Sequence, residues 1–132
     1  MKYYINRTVN TDFDQVVNLL KTSLNSEGFG VVTEVDLDKK IEEKLKIAFR
    51  RYKILGVCNP AFAYRALEQE DKIGTMLPCN IIIQELGKNE IEVAAVDPVA
   101  SMMAIENREL DKIAGEIKQK LERVIESLYV MI

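Results

Sequence analysis

The run from Asn107 to Leu128 restricts the fold most. Leu110, Ile113, Ala114, Ile117, Leu121, Val124, Ile125 and Leu128 recur at helical spacing, for about five turns of an amphipathic helix. Asn107 stands where a helix cap is wanted. A stripe of that length must be covered, and the β-forming segments upstream predict a sheet beneath it.

Those segments alternate with shorter helices. Lys2–Val9 carries Tyr3, Tyr4, Ile5 and Val9 and reads as an opening strand. Thr11 is placed to cap a helix with Asp14 three residues on, and its core face is Phe13, Val16, Val17, Leu20 and Leu24, with Gly28 as the stop. From Phe29 the period changes to two. Phe29, Val31, Val35 and Leu37 are expected on one side of a half-buried strand, with Gly30, Val32, Glu34 and Asp36 on the other. Asp38 then opens a charged helix whose inward side is expected to be Ile41, Leu45 and Ala48.

Arg51–Cys58 predicts a third strand that runs into Asn59-Pro60, a cap residue followed by proline at the first helical position. Phe62, Ala63, Ala66 and Leu67 supply the stripe of that helix. The segment CNIIIQEL, the tight connection Gly87-Lys88-Asn89 and IEVAAV form a hairpin with a buried first arm. Asp97-Pro98 breaks the second arm, and a short Met-rich segment leads to Asn107. With no repeat, linker or low-complexity segment, residues 1–132 read as one α+β domain with helices shielding one face of the sheet.

Composition narrows the function classes. The chain has 132 residues, 48% of them apolar, and a formal net charge of −3. No broad basic footprint for nucleic acid is present, and the short cluster Arg50, Arg51 and Lys53 reads as a solvated strand end. No window approaches the ~20 apolar residues of a membrane span, and MKYYINRTVN lacks a signal core, so the cytoplasm is the expected compartment. There, Cys58 and Cys79 are expected as free thiols. Histidine is absent, which removes the commonest metal ligand and general base, and no metal site is expected. The phosphate-binding, zinc-protease and hydrolase motifs are missing too.

What remains is a pair of similar turns. GVCNP at 56–60 and LPCN at 77–80 each place an asparagine after a cysteine beside a proline. Cys58 precedes a helix start, where backbone N–H groups and the helix dipole favour anions and thiolates. One reading makes Cys58, Asn59, Pro60, Pro78, Cys79 and Asn80 the wall of a small-molecule pocket. The competing one makes the cysteines apolar filler and the asparagines caps. A third reading has Cys58 as nucleophile and Cys79 as resolving thiol of a redox protein or enzyme. The acids Glu34, Asp36 and Asp97 near strand ends fit paired carboxylates or simple caps. Met76, Met102 and Met103 fit a soft-metal surface or gap filling.

The segment RYKILGVCNPAFAYRALEQEDKIGTMLPCNIIIQE, with VDP at 96–98 and GFGVVTEVDL near the amino end, resembles the domain-of-unknown-function 302 family over nearly the whole chain. Arg51, where that family often has proline, and Ala48, where an acid is common, depart from its pattern. The resemblance implies a mainly antiparallel sheet in a β-α-β(4)-α order similar to TATA-binding-protein-like folds, with extra short helices, and self-association as a homodimer. It places the family signature at Gly56, Cys58, Asn59, Pro60, Ala66, Leu67, Gly74, Leu77, Pro78, Cys79 and Asn80. It brings no reaction and no cofactor. A purely structural dimer, joined through a sheet face or the tail Leu128, Tyr129, Val130, Met131 and Ile132, is the remaining expectation.

Overall fold

The computed structural model describes residues 2–128, so the tail 129–132 expected at an interface lies outside the described residues. Strand β1 (Tyr4–Val9) leads into α1 (Phe13–Ser26), then β2 (Gly30–Asp36), α2 (Leu37–Leu45), β3 (Tyr52–Cys58) and α3 (Pro60–Gln69). A 3-10 turn (Asp71–Met76) precedes β4 (Cys79–Gly87) and β5 (Glu90–Val96), followed by the single turn α4 (Pro98–Ser101) and the long α5 (Arg108–Ser127). The sheet is antiparallel throughout, in the order β1-β5-β4-β3-β2. This is the α+β order expected, with α2, α3 and α4 as the added short helices.

The amphipathic stripes fall where their periods put them. Phe13, Val16, Val17, Leu20 and Leu24 of α1 are buried, as are the seven stripe positions from Leu110 to Ile125 of α5. They pack on Leu55, Val57, Ile81, Ile83, Ile91, Val93 and Ala95, the inward set of the three central strands. Asn107 caps α5 by accepting from the Leu110 N–H at 3.0 Å. The first helix is capped one residue later than expected: Asp12, not Thr11, accepts from the Gln15 N–H at 2.8 Å. Gly28 then turns the chain at φ +86°, a conformation that disfavours any Cβ.

Three elements depart from the periodic reading. Strand β2 is a mostly exposed sheet edge rather than half-buried. Its register slips between Val31 and Thr33, leaving Val32 as the extra residue of a bulge. Val31 therefore pairs with Val57 on the helix side, whereas Val35 pairs with Ile54 on the opposite face. Helix α2 has no buried residue, and Leu45 is 64% exposed. It is tied to β3 by the Asp38 carboxylate accepting from the Tyr52 N–H at 3.1 Å. In α3 only Ala66 is buried, and Leu67 is exposed.

Candidate functional site

The strand ends gather the first cysteine turn. Cys58 is the last residue of β3, and Val57 before it pairs with Cys79, the first residue of β4. Both cysteines are free, Cys79 buried and Cys58 half-buried. They line one small hollow of about 30 Å³ between the sheet end, α3 and α5, together with Asn59, Phe29, Met102 and Ile117. That is room for a water molecule or two, not for an organic ligand. Burial, with the Cys58 thiol as a second cause, pushes the Cys79 thiol up to about 11. At neutral pH Cys79 keeps its proton.

Asn59 occupies the cap position of α3 without using its side chain there. Its amide instead donates to the Glu27 carbonyl at 3.3 Å, joining the start of α3 to the end of α1. The rest of the expected pocket wall is elsewhere. Pro60 is exposed at the first turn of α3, and Pro78 and Asn80 lie on the opposite face of the sheet from Cys79. Strand alternation is the reason: residues 78 and 80 flank 79 and point the other way. Pro78 sits over Gly56, where an added Cβ would come within 2.7 Å of its Cγ.

Among the described residues no helix seals that opposite face, where Asn80 is exposed and Ile82, Ala94 and Val96 are only partly buried. Tyr4, Tyr52, Asn80, Ile82, Ala94 and Val96 line a hollow of about 390 Å³ across it. A hydrogen-bonded row crosses the same face. The Glu92 carboxylate accepts from Asn6 Nδ2 at 2.9 Å and from Gln84 Nε2 at 2.7 Å, and Gln84 Oε1 accepts from Arg50 Nε at 2.8 Å. Apolar floor, phenol rims and a few fixed amides are the ingredients of a small-molecule site.

The family model described as "Domain of unknown function DUF302" matches residues 5–128. The chain belongs to this family. A crystal structure of an uncharacterized conserved DUF302 protein from Bacillus stearothermophilus is similar to it with a TM-score of 0.89 and 25% identity, covering 96% of this chain and 98% of that one. No curated protein matches. Membership of DUF302 fixes a fold without naming a reaction.

The other candidates in this DUF302 chain have structural partners. Glu34 and Asp36 both bind Lys53 Nζ, at 2.7 and 3.1 Å, and Glu34 also binds Lys21 at 3.0 Å. Hydrogen bonds from Lys53 and then Lys21 hold the Glu34 carboxyl below its usual range, against burial. Burial pulls the Lys53 ammonium down, but Glu34 and Asp36 outweigh it and the net shift is up. Lys53 is thus a half-buried counter-ion with a side chain only 13% exposed, not a solvated strand end. Arg51 lies over the Phe13 ring at 3.9 Å and pairs with Asp14 at 3.0 Å. Asp97 caps α4, accepting from the Val99 N–H at 3.0 Å, and pairs with Lys118 at 3.0 Å. Carboxylates so engaged are scaffold.

Sequence reading named Met102 and Asn80 singly but not the groups they join. Met102 lines the cysteine hollow from the α4 corner, a placement no local pattern encodes. The uncovered face was written in the second-face positions of the hairpin, Asn80, Ile82, Gln84 and Glu92, Ala94, Val96, but only the pairing with Tyr4 and Tyr52 makes them one surface.

Proposed function

We propose that this chain is a cytoplasmic small-molecule-binding module whose ligand lies on the uncovered sheet face, with Asn80 of the second Cys-Asn turn on its wall. The observation that carries this reading is the hollow of about 390 Å³ among Tyr4, Tyr52, Ile82 and Ala94, within the roughly 300–1,000 Å³ of ordinary ligand sites. Its phenol rims and amides favour a ring-bearing molecule with one or two polar groups. The cysteine hollow is too small for such a molecule, and a protonated Cys79 is a poor resolving thiol, so the redox reading is disfavoured.

Backbone and methyl NMR shifts on titrating a set of small aromatic fragments test the proposal. Perturbations should cluster at Ile82, Ala94 and Val96. Ala94→Trp, which fills the floor, should weaken binding by at least about tenfold, or 1.4 kcal/mol. Shifts that gather instead around Cys58, or binding that survives Ala94→Trp, would reject this face.

Self-association as a homodimer has its own support. The edge strand β2 leaves Val32 59% exposed, and Leu45 at the end of α2 and Ile47 just beyond it are exposed as well. An unpaired edge beside an apolar arm is a surface a second copy can cover.

A further inference from the structure

We propose that Cys58, Cys79 and Met102 form a site for one soft monovalent cation of the copper(I) or silver(I) class. The three sulfur residues come from three distant parts of the chain, the end of β3, the start of β4 and the residue after α4, yet all line the same hollow. Its volume of about 30 Å³ excludes an organic ligand but admits a bare ion. This site is independent of the ligand reading, because it lies on the helix-covered side of the sheet.

The donor set selects the ion. Thiolate and thioether are soft ligands that favour copper(I), whereas calcium and magnesium require oxygen donors. Zinc in a closed site takes four nitrogen, sulfur or oxygen ligands. Among the described residues no group of three or more His, Cys, Asp and Glu could hold it. A two- or three-coordinate monovalent ion is what two cysteines and one methionine satisfy.

Charge balance is explicit. The ion forms two metal–sulfur bonds to the cysteines as both S–H bonds break, releasing about two protons to solvent and leaving a complex of net charge −1. No electron is transferred. Helix α3 begins with Pro60, two residues after Cys58, and the positive end of its dipole offsets that charge. Half-exposed Cys58 gives the ion its way in to buried Cys79.

The test is an anaerobic titration of the full chain with copper(I) against a chromophoric copper(I) chelator, with X-ray absorption on the loaded protein. One ion per chain in a sulfur-only shell is expected. Cys79→Ser should weaken binding by more than the roughly 10–100-fold that losing an outer partner costs. Met102→Leu keeps the core volume and should weaken it by about tenfold, which guards against a Cys79 variant that does not fold. A nitrogen or oxygen shell, equal affinity in Met102→Leu, or zinc bound as tightly as copper(I) would overturn the site.

Discussion

Gly56 has no room for a side chain. A Cβ there would overlap Thr33 Oγ1 and approach Pro78 Cγ at 2.7 Å, so this strand position holds the β2 bulge and the Pro78 corner against β3. Gly56→Ala is expected to cost about 1–3 kcal/mol as over-packing, read as a lower urea midpoint at unchanged m-value. Cys79 gives a pH signature. Its thiol is raised from an ordinary 9.0 to about 11, so below pH 9 it is neutral in both states and its contribution is fully present. Above pH 9 the unfolded chain ionises first, and the contribution is lost up to about pH 11. The stability gap between wild type and Cys79→Ala should shrink by roughly 3 kcal/mol over that window. A constant gap in urea melts from pH 8 to 11 would show that Cys79 is not sealed. The cysteine-asparagine turns were legible as special residues, but which way each side chain points was not, because alternation at a strand start depends on where pairing begins.

At the scale of elements, α1 and α5 are joined at their far ends by Glu27. Its carboxylate takes Arg123 at 3.0 Å and Lys120 at 3.7 Å. The Arg123 hydrogen bond, opposed by burial, holds Glu27 below its ordinary 4.5. A depressed acid contributes stability above its unfolded pKa and loses it as pH falls through the folded one. Glu27→Gln should therefore destabilise the protein at pH 7 and have a vanishing effect at about pH 2. Equal effects at both pH values would mean the side chain acts by packing alone. Periodicity located both helices because each stripe is covered along its full length. It misread β2 because an edge strand has a partner on one side only and a bulge reverses the face of every residue beyond it, and it misread α2 because nothing buries that helix's apolar stripe. Val31 and Val35, two strand steps apart twice over, end on opposite faces.

For the whole molecule, the sheet divides the chain into a sealed side and an open side. The sealed side holds the core and the sulfur hollow, and the open side holds the aromatic hollow and the Asn6–Glu92–Gln84–Arg50 row. If β2 and α2 are covered by a second copy, sedimentation equilibrium should give a dimer. Ile47→Glu, exposed in the monomer, should shift it toward monomer at least tenfold in dissociation constant without lowering the melting point of the monomer. A dimer indifferent to Ile47→Glu would move the contact elsewhere. Local order was the sequence's to decide: the stripes of α1 and α5, the Lys88-Asn89 turn and the Asn107 cap follow from neighbours along the chain. Strand order, the bulge, the uncovered face and the meeting of Cys58, Cys79 and Met102 came only with the tertiary structure. They depend on contacts between residues far apart in the chain, whose closure is set by the packing of every element at once.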